Sequence, residues 1–375
     1  MSDAKAVIHA GTTAATAFAD AARRALFHPH GQEIAQDWQA LRLYLQKQGM
    51  ELDLDQAPRQ FAGGFGNLNY LVAMDGQPYV LRRPPPGDLP PGANDMAREY
   101  RITSRLWERF PLAPRAIHFC GDPELLGVPF LIMQYRPGLI IGGQLPAERE
   151  VTPQERGQLG QTMVQALADL HAVDPRSVGL EQLGRPDGML TRMIDGWEKR
   201  ANVAYGLGTP AGIARTAGWL RARLPRQQQP ACLLHSDFKL DNIILDPATL
   251  APRAVIDWDM GTRGDPLVDL ATLLSYWSEA GDPDVMRQLA QMPTALPGFP
   301  RRAELVEAYA RLTGADVSGF DFYRVLCMFK LTIVFMQLHA RYLRGEMVSE
   351  KYRGFGPLTA GLLDFTEDIA AGIRE

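Results

Sequence analysis

Strand and helix patterns segregate along this chain. Up to residue 134 the apolar runs are short, rich in β-branched and aromatic residues, and punctuated by turn residues; beyond it most of the chain carries helical periodicity. That order reads as an α+β protein, with a sheet-rich front of modest size and a larger helical back joined near residue 136. The length, 375 residues, agrees, because a single hydrophobic core rarely grows past about 250–300 residues. Three segments are expected: an N-terminal arm over 1–30, a small sheet lobe over 31–135 and a mainly helical lobe over 136–375.

Composition excludes several classes. Hydrophobic residues make up 46% and charged residues 22%, which is globular rather than disordered. A formal net charge of -4 gives no footing for a nucleic-acid binder, whose domain is normally strongly basic. Three widely spaced cysteines, Cys120, Cys232 and Cys327, form neither a disulfide framework nor a Cys-rich zinc module. They read as small buried hydrophobes in a reduced, cytoplasmic protein. The longest apolar stretch, residues 325–338, is short for a bilayer and carries Lys330, so no membrane span is expected. The Ala- and Thr-rich start does not read as a secretory signal.

Helix periodicity is predicted over 37–48 and, after a proline-rich loop at 84–92, from a cap at Asn94 or Asp95 to about 109. Strands are predicted at 59–61, 69–74, 79–81, 116–120 and 130–134, with Asp75-Gly76 as a hairpin turn. In the back half, Thr152 and Glu155 form a capping box opening a helix to His171. Further helices are predicted at 188–204, 212–224, 267–279, 301–312, 321–343 and 358–373. Short apolar pieces at 232–234, 243–245 and 254–256 are separated by Asp-rich loops.

One of those loops carries the strongest chemical signal. His235-Ser236-Asp237-Phe238-Lys239-Leu240-Asp241-Asn242 lies between two short apolar strands, an exposed turn on buried flanks, and Ile256-Asp257-Trp258-Asp259 follows. Phosphoryl transfer needs a carboxylate beside the acceptor hydroxyl, oxygen ligands for Mg2+ and a cation on the moving group. Asp237 can be the first, Asn242 and Asp257 offer hard oxygens, and Lys239 supplies a positive charge.

The run HSDFKLDN resembles the catalytic loop of the aminoglycoside phosphotransferase family, a branch of the protein-kinase-like fold. Ile256-Asp257-Trp258 resembles the family's metal-binding motif, and Gly264-Asp265-Pro266-Leu267-Val268-Asp269-Leu270-Ala271 resembles its next signature, whose acids tie down the core. The likeness runs from about residue 60 to about 344. It implies a two-lobed protein-kinase-like fold, with a small antiparallel-sheet N-lobe and a larger mainly helical C-lobe. It also implies ATP and Mg2+ as cofactors, with Asp237 and Lys239 catalytic and Asn242 and Asp257 on the metal. His235, by the same resemblance, braces the loop, and His171 in Ala168-Asp169-Leu170-His171 matches a structural family position.

The front lobe matches less closely. Gly63-Gly64-Phe65-Gly66-Asn67 resembles the family's first loop, in which Gly63, Gly64, Gly66 and Asn67 would lie over nucleotide phosphates; on its own the segment reads as a hairpin turn. Where kinases carry a phosphate-pairing lysine, this chain has Arg82, and Glu99 matches the lysine's partner. A planar guanidinium is not a lysine. The backbone near Gln134, Tyr135 and Arg136 would meet the adenine.

The implied acceptor is the hydroxyl of a small molecule. The run from Gly298-Phe299-Pro300 through Tyr323 to Arg341, with residues 187–200, resembles the kinase domain fused to certain acyl-CoA dehydrogenases, which implies a hydroxyacyl-CoA or related anionic compound. The predicted helix over 321–344 is locally basic through Arg324, Lys330, Arg341 and Arg344, compatible with CoA phosphates. Two alternatives stay open: a kinase for aminoglycosides or other small alcohols, and a nucleotide-binding module of pseudokinase type, for which Arg82 is the argument. A metal-dependent hydrolase finds no HExxH group among the seven histidines.

Overall fold

The structure, a computed structural model, describes residues 27–29, 31–62, 66–87, 94–226, 229–347 and 350–374. Nearly all of the predicted 1–30 arm lies outside the described residues, as do Gly63, Gly64 and part of the proline-rich loop. The chain divides into two compact units. The first takes the described residues up to Trp107, then Ala113–Gly138 and Trp258–Met260; the second takes Glu108–Leu112, Leu139–Asp257 and the chain from Gly261 on. The first unit therefore closes at Gly138 rather than 135, and two short segments change sides.

The first unit is an antiparallel sheet with helices packed on it. Its strands are β1 (Leu52–Asp53), β2 (Arg59–Gln60), β3 (Leu68–Met74), β4 (Gln77–Arg83), β5 (Ala116–Cys120) and β6 (Phe130–Gln134), in the order β1-β3-β4-β6-β5 with β2 also on β3. Asp75 and Gly76 both take positive φ, 46° and 73°, as the tight β3–β4 hairpin requires. Helix α1 (Trp38–Lys47) starts where the Asp37 carboxylate accepts from the Ala40 amide at 2.9 Å. Its Leu41 and Leu45, four apart on one face, pack with Tyr70, Val72, Leu81, Phe130 and Ile132. Helix α2 (Met96–Leu106) is capped by Asp95, whose carboxylate accepts from the Arg98 amide at 2.9 Å. A one-turn helix α3 spans Pro123–Leu126.

The second unit is mainly helical. Its helices are α4 (Pro153–His171), α5 (Met189–Tyr205), α6 (Ala211–Ala222), α7 (Pro266–Tyr276), α8 (Asp284–Leu289), α9 (Arg302–Thr313), α10 (Phe320–Leu343) and α11 (Phe355–Ala370). The Thr152–Glu155 capping box forms as predicted. Helix α10 packs against α5, α7 and α11 and forms the core of the unit. At 24 residues it is long and apolar enough to cross a bilayer, which the 325–338 stretch suggested was not so; 78% of its apolar window is buried inside the protein, as in a core helix.

Two small ribbons complete the unit. Strand β7 (Cys232–Leu234) pairs with β10 (Thr262–Gly264), and β8 (Ile243–Leu245) pairs with β9 (Pro252–Val255). Residues 262–264 carry no strand pattern of their own; pairing with β7 makes them one. Helix α7 stops at Tyr276 rather than 279, because the next residues are engaged elsewhere: the Trp277 indole donates to the Pro300 carbonyl at 3.0 Å and the Ser278 amide to the Thr294 hydroxyl at 2.8 Å.

Candidate active site

The loop 235–242 runs from β7 to β8 and is held from below by one buried acid. Asp269, on α7 and fully buried, accepts the His235 amide at 2.6 Å and the Ser236 amide at 2.7 Å on its two carboxylate oxygens. His171 Nε2 lies 3.4 Å from the same carboxylate, and its Nδ1 meets the Tyr309 hydroxyl at 2.7 Å. Burial pushes the Asp269 carboxyl up, but the hydrogen bond and charge of His171, with the His235 contacts, outweigh it and leave the group below its ordinary range. His235 braces the loop crosswise: Nε2 donates to the Ile256 carbonyl at 2.9 Å, and Nδ1 accepts the Asp237 amide at 3.3 Å. Ser236 and Asp257 both take left-handed φ, 69° and 71°, unusual for residues with a side chain and of the kind that clusters at working sites.

Asp237 is gripped at both carboxylate oxygens. The Tyr276 hydroxyl donates to Oδ1 at 2.8 Å, and Asn242 Nδ2 donates to Oδ2 at 3.2 Å and to the Asp237 carbonyl at 2.9 Å. Lys239 Nζ stands 3.7 Å from Asp237 Oδ2 and 3.3 Å from Asp241 Oδ2, and 5.4 Å from the centre of the Tyr276 ring. Burial would lower the Lys239 pKa, but Asp237, Asp241 and Asp257 together raise it, so the ammonium stays charged. Burial raises Asp241, with Asp237 and Asp257 acting in the same direction against Lys239. The Tyr276 phenol is driven well above its ordinary range by burial and by the Asp237 charge, which keeps it a proton donor.

Asn242 and Asp257 adjoin, since the Ile256 amide donates to the Asn242 carbonyl at 2.9 Å. With Nδ2 of Asn242 committed to Asp237, its Oδ1 is turned the other way. An amide oxygen and a carboxylate are the hard donors Mg2+ takes, and Mg2+ commonly asks a protein for only one or two carboxylates, drawing the rest from phosphate and water. The residues fit that ion. Among the described residues no group of three or more His, Cys, Asp or Glu is arranged as a metal cage.

In the first unit Arg82 and Glu99 form a buried pair, Nε to Oε2 at 2.7 Å, and Arg82 Nη1 reaches Asn69 Oδ1 at 3.3 Å. The other Glu99 oxygen faces the Trp258 amide at 3.4 Å, so the residues after Asp257 are tied to this unit. Asn67 is buried and spent at both ends of its amide: Nδ2 donates to Asp259 at 3.1 Å, and Oδ1 accepts from Asn94 at 2.8 Å. Gly66 lies beside it, while Gly63 and Gly64 fall outside the described residues. The Gln134 amide donates to the Arg115 carbonyl at 2.9 Å, and the Tyr135 ring stacks on Phe61 at 6.3 Å.

One expectation is corrected. The basic residues of α10 do not form a solvated anion-binding stripe. Arg324 and Lys330 are buried, and Lys330 donates to the Ser236 carbonyl at 2.7 Å. Arg341 and Arg344 both pair with Glu346. The helix packs on several sides at once, so its inner charges serve the interior. The sequence patterns also pass over Tyr276 and Asp241 as neighbours of Asp237, and Lys330 as a partner of the Ser236 carbonyl. Only Asp241, inside the loop motif, left a signal that a local reading can find.

A model of the phosphotransferase enzyme family, APH, matches residues 58–305. The chain is 33% identical to acyl-CoA dehydrogenase family member 11 of Rattus norvegicus over 296 residues, 78% of this chain and 37% of that protein. It thus spans less than two fifths of that relative's length. A candidate aminoglycoside phosphotransferase from Ralstonia eutropha superposes with a TM-score of 0.71 at 24% identity, covering 89% of this chain and 99% of that one. A thermostable mutant of aminoglycoside phosphotransferase APH(4)-Ia, in a ternary complex with ADP and hygromycin B, superposes with a TM-score of 0.56 at 16% identity, over 90% and 99% of the two chains. These two likenesses establish a protein-kinase-like α+β fold. The match over 58–305, with a relative at 33% identity, establishes more: the chain belongs to the phosphotransferase enzyme family.

Proposed function

We propose that this phosphotransferase moves the γ-phosphoryl group of ATP to the hydroxyl of a hydroxyacyl-CoA or a closely related small anionic alcohol. The observation that carries the transfer chemistry is the Asp237 carboxylate, fixed by Tyr276 and Asn242, with the Lys239 ammonium 3.7 Å away. Asp237 orients the acceptor hydroxyl and takes its proton as the oxygen attacks the γ-phosphorus. The bond from that phosphorus to the bridging β–γ oxygen breaks and ADP leaves. Lys239 offsets charge on the moving group. Asn242 and Asp257 would hold Mg2+, which when bound neutralises charge on the phosphates. In the first unit Arg82, oriented by Glu99, is the cation for the nucleotide phosphates, and Gly66 and Asn67 belong to the segment that would lie over them. The complex of APH(4)-Ia with ADP supports adenine nucleotide as donor. The acyl-CoA acceptor rests on the relative at 33% identity and no longer on the basic helix.

The test is a screen of hydroxyacyl-CoAs and kanamycin-type amines with ATP consumption and product mass as readouts. Asp237→Asn is expected to lower turnover by about 10²–10⁴, the usual worth of a positioned base, while Mg-ATP binding persists. Undiminished turnover in that variant would sink the assignment. Phosphorylation of the amines alone would overturn the acyl-CoA reading, and binding of Mg-ATP without any transfer would favour the nucleotide-binding module.

A further inference from the structure

We propose that Tyr276 is a positioning residue for phosphoryl transfer, one that holds Asp237 off Lys239 so that the carboxylate stays open to the acceptor hydroxyl. The proposal rests on the kinase reading above and adds a residue to it. Lys239 stands between two acids. It is within 3.3 Å of Asp241 but 3.7 Å from Asp237, beyond a good hydrogen bond. Opposite charges this close in a mostly buried setting attract strongly; Asp241 holds the ammonium from one side, and a restraint on Asp237 keeps the gap from the other. The structure supplies two donors, one to each oxygen: Asn242 Nδ2 on Oδ2 and the Tyr276 hydroxyl on Oδ1. Asn242 belongs to the loop itself and moves with it. Tyr276 does not. It is the last residue of α7, the helix that also carries Asp269, the acid that anchors the His235 and Ser236 amides. One helix therefore fixes the loop backbone and the carboxylate together.

The same ring serves the lysine. Lys239 Nζ lies 5.4 Å from the ring centre, inside the range at which an ammonium is attracted to an aromatic face. Tyr276 thus restrains both charged groups, the hydroxyl holding Asp237 and the face holding Lys239. Without the hydroxyl, Asp237 keeps only the loop's own Asn242 bond on Oδ2, the oxygen that faces Lys239, and its rotation onto the ammonium is opposed by one donor instead of two. A closed ion pair would occupy the oxygen that must accept the acceptor's proton and would neutralise the cation meant for the phosphoryl group.

The experiment compares wild type, Tyr276→Phe, Asp237→Asn and the double variant in steady-state transfer from ATP. The acceptor is whichever hydroxyacyl-CoA or kanamycin-type amine the wild type phosphorylates, assayed well below every variant's melting temperature. Tyr276→Phe is expected to lower kcat about 30-fold, equal to about 2 kcal/mol at 1.36 kcal/mol per decade, with KM for ATP and acceptor changed by less than about twofold. In the Asp237→Asn background the same change is expected to alter the residual rate by less than about twofold, because Tyr276 acts through the carboxylate. Tyr276→Leu, which also removes the ring face, is expected to fall below Tyr276→Phe. A kcat for Tyr276→Phe within twofold of wild type, a loss carried by KM, or losses that multiply in the double variant would each overturn the proposal. A wild type that transfers to no acceptor fails the kinase reading instead, and the positioning role falls with it.

Discussion

Asp269→Asn tests whether one buried acid holds the catalytic loop. The substitution keeps the shape and removes the charge. In the wild type both carboxylate oxygens accept backbone amides, His235 at 2.6 Å and Ser236 at 2.7 Å. An asparagine has one oxygen to offer, so one of those N–H groups must face the amide NH2. A buried donor left without an acceptor costs about 1–3 kcal/mol. The surviving bond loses its charge assistance, which roughly doubles the strength of such bonds, for a further cost of about 1 kcal/mol. The expected destabilisation is about 2–4 kcal/mol, on the order of 10 °C in the melting temperature of a unit this size. Thermal and urea denaturation of both proteins between pH 8 and pH 3 give the measurement. Because Asp269 titrates below the ordinary carboxylate range in the folded protein, its contribution is fully present above the unfolded value of about 3.9 and is lost as pH falls through the folded one. The gap between wild type and variant should therefore be flat at neutral pH and close only below about pH 4. A gap under about 0.5 kcal/mol at pH 7 with wild-type turnover would refute the bracing argument.

Two further expectations concern packing. Arg82→Met strips the guanidinium from buried Glu99 and is expected to destabilise the protein by about 3–5 kcal/mol, with Arg82→Lys costing less, both read by thermal denaturation. Gly143→Ala would set a Cβ 2.0 Å from the Ala290 carbonyl oxygen, a backbone atom that cannot swing aside, and is expected to cost about 1–3 kcal/mol; Gly142→Ala, with nothing within 4 Å, is the matched control and should be near neutral.

Much of this architecture is legible where a local rule and the tertiary fold agree. Strands β5, β6, β7 and β8 have the bounds their apolar runs suggest, and α4 begins at its capping box. The Asp75–Gly76 hairpin follows from the only residue pair nearby that tolerates two positive φ values in sequence. The elements that escaped are those made by partners. Strand β10 exists because β7 pairs with it, and α7 ends early because Trp277 and Ser278 bond to Pro300 and Thr294. The site divides the same way. Asp237, Lys239, Asn242 and Asp257 announce themselves through spacing. Tyr276 lies 39 residues from Asp237 and Lys330 lies 94 from Ser236, distances over which no periodicity connects donor to acceptor.

The misread helix shows why charge content alone is a poor guide to a ligand. Four basic residues between 324 and 344 suggested a surface for phosphates. What a charged side chain does depends on which way the helix presents it and on whether that side meets water. Helix α10 meets α5, α7 and α11, so its first two basic residues have no solvent to face. Lys330 spends its ammonium on the Ser236 carbonyl, at the residue whose left-handed backbone turns the chain into Asp237. A buried ammonium is costly unless bonded, and Lys330 meets that cost by holding this turn. The Lys330 charge, counted among those that suggested substrate recognition, is on this geometry part of the scaffold that holds the turn into Asp237.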